Sequence, residues 1–159
     1  MAEKRVCEGG CHCGAVRFRV SFERYEGVEC NCSICSKKGI LHLIVPREDF
    51  ELLQGEADLV TYRFNTGVAQ HRFCRLCGIH SFYTPRSHPE CVDVNIRCLD
   101  GITPERFSFE KFDGRHWEDS IVGLRAREAA RHDEGSSLDL DEEPRDGTTV
   151  GNQPRRNRE

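Results

Sequence analysis

"CHCGAVRFRV", residues 11–20, sets two thiols at the mouth of a strand. Val16, Phe18 and Val20 alternate with Arg17 and Arg19, the two-residue period of a strand with one buried face. Cys11 and Cys13 precede the strand, and Gly14 stands between. In a flat strand, residues two apart share a face but stand too far apart to meet on one ion. A Cys-x-Cys pair holds a common metal only from a tight turn, which the glycine permits. The stretch therefore reads as a metal-binding turn that feeds a half-buried strand.

The theme recurs twice. "CNCSIC", residues 30–35, carries Cys30, Cys32 and Cys35 with the turn formers Asn31 and Ser33 between them. "CRLC", residues 74–77, carries Cys74 and Cys77, and Gly78 follows. The first residues, "MAEKRVCEGG", have no apolar core of a signal peptide. Such a chain is expected to work in the cytosol or nucleus, unsecreted, where thiols stay reduced and clustered cysteines serve metals rather than disulfides. Structural zinc takes four thiolates, whereas a zinc with three protein ligands keeps one position open for chemistry. Seven clustered cysteines divide into a group of four and a group of three, so two zinc ions are expected. Spacing leaves open which pair joins Cys74 and Cys77. One four-cysteine site beside reduced, buried thiols is the plainer alternative. Cys7, Cys91 and Cys98 are isolated and read as small core hydrophobes.

The remaining pattern is mostly strand. "LHLIV" (41–45) stops at Pro46, "LVTYRF" (59–64) runs into "NTG", and "VAQHRF", "HSFY" and "VDVNI" continue in short apolar pieces. Trp117, Ile121 and Leu124 recur at helical spacing, which predicts one late helix. Beyond it the chain has no aromatic residue. The expectation is an all-β, mainly antiparallel domain over residues 1–124 with a short C-terminal helix. A disordered charged tail is expected over 125–159, its first part extending the helix as far as about His132. The 159 residues carry a net charge of −4, no footprint for nucleic acid, and no apolar run long enough for a membrane span. There is no H-E-x-x-H protease motif, no deaminase signature and no two-Cys, two-His finger.

"GGCHCGAVRF", "CNCSICSKKG", "HRFCRLCGIHSFYTPRS" and "NIRCLDG", in that order, resemble the family of glutathione-dependent formaldehyde-activating enzymes and centromere protein V, in wording closest to the latter branch. The resemblance covers about residues 6–117. It implies a β-tent fold with two zinc ions. Cys11, Cys13, Cys74 and Cys77 match the family's structural zinc ligands, and Cys30, Cys32 and Cys35 match its catalytic ones. The activity it implies is a carbon–sulfur lyase that joins formaldehyde to glutathione or a similar thiol. The other branch implies a non-catalytic binding module with chromosomal or cytoskeletal protein partners. Lys37 and Lys38 could offset the charge of the three-cysteine site or meet a glutathione carboxylate, although solvated surface lysines are the commoner outcome. Arg86 could clamp a carboxylate but reads more simply as a loop arginine. His42 could shuttle a proton, yet on a short strand a histidine is more often just packed or exposed. The sequence sets no evident general base beside Cys30, Cys32 and Cys35.

Overall fold

The computed structural model describes residues 3–136. The chain divides into two compact units, Met1–Val122 and Gly123–Glu159. Among the described residues, ten strands and two helices follow in the order β1 (Arg5–Gly10), β2 (Arg17–Phe22), β3 (Glu26–Cys30), α1 (Ser33–Lys38), β4 (His42–Pro46), β5 (Phe50–Gln54), β6 (Leu59–Tyr62), β7 (His71–Cys74), β8 (Phe82–Tyr83), β9 (Cys91–Asn95), β10 (Ser108–Phe112) and α2 (Trp117–Ser136). The first unit is all-β apart from α1, short 3-10 turns and the start of α2, as the alternation predicts.

Its strands form three sheets, ordered β1-β2-β5, β10-β3-β4-β9-β8 and β6-β7. Every pairing is antiparallel except β10 with β3. The core lies between the first two sheets. Val16, Phe18 and Val20 are fully buried, and Phe18 packs on Phe50 of β5 at 5.5 Å and on Phe82 of β8 at 6.0 Å between ring centres. Burying each such side chain stabilises by about 1.5–3 kcal/mol.

Register decides what the five-stranded sheet turns away from that core. Leu43 pairs with Val94, Val45 with Val92 and Phe82 with Val94, so these side chains share the apolar face. His42 pairs with Asn95, Ile44 with Asp93 and Tyr83 with Asp93, which places His42, Asp93, Asn95 and Tyr83 together on the opposite face. The strand "HSFY" is shorter than its apolar run suggests, only Phe82–Tyr83.

Helix α1 is absent from the sequence reading. Six residues carry too little periodicity to reveal it, and it exists because its ends are capped. Cys32 is the N-cap, its sulfur accepting from the backbone N–H of Cys35. Gly39 closes it in the left-handed conformation, φ 64°, with its N–H donating to the Cys35 carbonyl.

Trp117, Ile121 and Leu124 fall in α2 as expected, and the helix runs on through Ser136. The expected tail beyond that point, 137–159, lies outside the described residues. Among the described residues no helix is long and apolar enough to cross a membrane.

Candidate functional site

Among the described residues two thiol clusters emerge. Cys11, Cys13, Cys74 and Cys77 bring their sulfurs within 4.8 Å of one another, and so do Cys30, Cys32 and Cys35. Tertiary structure thus makes the pairing that spacing left open. Cys7, Cys91 and Cys98 join neither cluster; Cys7 and Cys98 pack against the core.

The four-cysteine cluster is built from two turns. Cys11 follows β1, and Gly14 bends the chain at φ 78°. Cys74 ends β7, and Gly78, φ 77°, donates its N–H to the Cys74 carbonyl at 2.8 Å. Cys13 Sγ lies 3.6 Å from Cys11 Sγ and 3.7 Å from Cys74 Sγ. A tetrahedral thiolate site with bonds of about 2.3 Å has edges of about 3.8 Å, so these spacings suit a closed metal site. Cys11 and Cys74 belong to the hydrophobic core, which makes the cluster part of the fold.

The three-cysteine cluster is local. Cys30 ends β3, Cys32 caps α1 and Cys35 sits in its first turn. Packed together, the thiols cannot all ionise unaided. Hydrogen bonds from Cys30 and Cys35 pull Cys32 down to about 2, while the bond to Cys32 pushes Cys30 up to about 11. Cys35 is driven far above the thiol range by its bonds to Cys30 and Cys32. A donor set that frustrates its own ionisation suits a cation that all three can share.

A clamp holds this tripod from the same end of the parallel β3–β10 pairing. The loop after β10 turns back over it, and a Cβ on Gly114 would stand 2.5 Å from Cys30 Sγ and 2.7 Å from Cys32 Cβ. Asn31 Nδ2 donates to Asp113 Oδ1 at 2.9 Å, and Asn31 Oδ1 accepts from the Arg115 N–H at 3.1 Å. Beside the tripod lies a cleft of about 380 Å³ whose lining includes Cys30, Cys35, Asn31, Ser36, Arg97 and Lys111.

The candidate charges separate. Lys37 is exposed. Lys38 is half-buried over the Phe73 ring and bonded at 2.8 Å to His80 Nδ1. Arg86 stacks on Trp117 at 3.6 Å and pairs with Glu118 at 2.6 Å, so it is engaged away from the cysteines. His42 is buried, with Nδ1 2.8 Å from Asp93 Oδ2. Burial opposes a charge on its ring, but the Asp93 carboxylate outweighs this and raises its pKa. The sequence reading missed Asp93, His71, His80, Tyr83 and Gly114. The one available signal is a polar residue inside an apolar strand, as in "LHLIV" and "VDVNI".

Residues 6–112 match the family model described as glutathione-dependent formaldehyde-activating enzyme. Over 108 residues the chain is 64% identical to a Halomonas elongata protein named "Putative glutathione-dependent formaldehyde-activating enzyme", which covers 62% of this chain and 69% of the relative. A Rhodobacter sphaeroides protein of known crystal structure superposes with a TM-score of 0.59 at 33% identity, over 65% of this chain and 99% of that one.

Proposed function

From the premise that the chain belongs to the family of glutathione-dependent formaldehyde-activating enzymes, we propose that it joins formaldehyde to the thiol of glutathione as a carbon–sulfur lyase with two zinc ions. Cys11, Cys13, Cys74 and Cys77 would hold the structural ion, and Cys30, Cys32 and Cys35 the catalytic one. A zinc ion on three thiolates would supply an open coordination position that favours the thiolate form of an incoming thiol.

The chain's own residues supply the rest. The single observation that carries the reading is that the three-cysteine site borders a cleft, lined by Cys30 and Cys35, of a size for a tripeptide. Arg97 gives the cleft a cation for a carboxylate of glutathione, Lys111 of the same lining is paired with Glu29, and Asn31 and Ser36 give neutral polar groups. Lys38, held against His80 outside the cleft lining, has its pKa lowered by burial, against which the negative charge of Cys35 works to keep it protonated. In the reaction a carbon–sulfur bond forms, the carbonyl π bond becomes an alkoxide, and the proton of the thiol ends on that oxygen.

The test is cobalt substitution with a glutathione titration. A change in thiolate-to-metal absorption, together with S-hydroxymethylglutathione in the product, supports the reading. A flat titration at millimolar glutathione and no adduct would leave a zinc-stabilised binding module instead.

A further inference from the structure

The polar face of the five-stranded sheet buries side chains that neither cysteine cluster uses. His42 and His71 are 3% exposed, His80 6% and Asp93 1%. Four of their polar atoms, His42 Nε2, His71 Nδ1, His80 Nε2 and Asp93 Oδ1, are buried without a hydrogen-bond partner in the protein. Apolar residues of similar shape would be more stable there, so such a concentration of unpaired groups points to chemistry. Tyr83 stands at its centre, with ring centres of His71, His80 and His42 at 5.0, 5.1 and 6.0 Å.

One ring in this pocket has a defined role open to it. His42 Nδ1 lies 2.8 Å from the Asp93 carboxylate, an acceptor, so Nδ1 donates. A ring that donates through Nδ1 carries its lone pair on Nε2, the atom without a partner. Register sets it beside the tripod. Val28 pairs with His42, and Cys30 is two residues on from Val28, hence on the same face. Diagonal neighbours on one face stand about 7–8 Å apart at Cα. The charged and titratable groups around His42 are Asp93 of β9, Tyr83 of β8, His71 of β7, His80 and Lys38, and Cys32 lies within electrostatic reach.

We propose that His42, oriented by Asp93, carries the proton between thiol and aldehyde at the three-cysteine site. The S–H bond of the thiol breaks and its proton goes to His42 Nε2. The sulfur electron pair forms the bond to the aldehyde carbon, and the π pair of the carbonyl moves to oxygen. His42 then returns the proton to that oxygen, which leaves the hydroxymethyl thioether and a neutral ring. No other reactant is consumed. His42 is here a catalytic residue and Asp93 a positioning one, and the inference rests on the function proposed above.

The experiment uses the metal-loaded protein with ¹⁵N-labelled histidine, one pH unit above the midpoint of the ligand-free His42 ring. Saturating glutathione, without aldehyde, is expected to move both ring nitrogens of His42 to the imidazolium position. S-methylglutathione, which has no thiol proton, is expected to leave them in place. In steady state His42→Gln should lose about 100-fold or more in kcat, with two metals bound and an unchanged KM for glutathione. Asp93→Asn should lose less and abolish the downfield Nδ1–H signal of His42. If glutathione binds and is turned over while the His42 ring stays neutral, or if His42→Gln keeps kcat within threefold, the relay is overturned alone. If a variant does not fold, the ring spectra of the unaltered chain decide. A wild-type protein that neither binds glutathione nor forms the adduct overturns the function and the relay together.

Discussion

A single missing carbon keeps the tripod in shape. Gly114 is the residue against which Cys30 and Cys32 rest, and a Cβ at 2.5 Å from Cys30 Sγ leaves no room without a shift. Gly114→Ala is expected to displace one ligand and release the metal of the three-cysteine site while the four-cysteine site keeps its own. Metal analysis should fall from about two ions to about one per chain, with the circular dichroism spectrum unchanged. Retention of two ions would mean that the turn yields. His80 tests a different local effect. Burial, then the charge of Lys38, lower its pKa to about 3. Its folded value lies below the unfolded value of about 6.5, so the unfolded chain binds the extra proton between the two. Stability from this residue is complete above pH 6.5 and is lost as pH falls through that window, by at most about 1.4 kcal/mol per unit. His80→Gln should therefore flatten the fall in melting temperature between pH 6.5 and 5 relative to the parent. Gly114 carried no sign of its role in the sequence, because the contact is with residues more than eighty positions away.

At the scale of elements, the tripod depends on a junction between distant strands. β3 ends at Cys30, β10 ends opposite it at Phe112, and the loops that leave both ends are tied by Asn31 and Asp113. Asn31 also accepts from the Arg115 N–H, and its carbonyl accepts from Arg115 Nε at 3.3 Å. Asn31→Ala removes the side-chain half of this tie. At about 0.5–1.5 kcal/mol per bond, roughly tenfold weaker metal binding at the three-cysteine site is expected, measured by competition with a chromophoric chelator. The four-cysteine site serves as the internal control, and equal weakening of both would refute a local clamp. The antiparallel strands were legible because a period of two residues is written locally, and the apolar partners of β2, β4 and β9 follow it. Helix α1 was not, because six residues form a helix only through caps that depend on a sulfur and a left-handed glycine.

Over the whole first unit, the two clusters differ in how much chain they tie. The four-cysteine cluster joins Cys13 to Cys74 across 61 positions, and the tripod spans only six residues. Tying the longer loop removes about 2 kcal/mol more of chain entropy, and Cys74 lies inside the core at 1% exposure. Cys74→Ser is expected to give insoluble or unfolded protein. Cys32→Ser should stay folded, bind about one metal and lose adduct formation. Soluble yield, circular dichroism and metal content decide it; equal unfolding of both would make the tripod structural. By itself the sequence determined the strands β2, β4, β6, β7, β8 and β9, the late helix and the three groups of thiols, because alternation, helical spacing and ligand spacing are local properties of the chain, whereas β1, β3, β5 and β10 carried no such pattern. The tertiary structure alone brought His42, Asp93 and Tyr83 onto one buried face, packed His71 and His80 against it, and set Gly114 over Cys30. Those neighbours are chosen by strand order and register, and a shift of one residue in pairing would turn each strand's side chains to the other face.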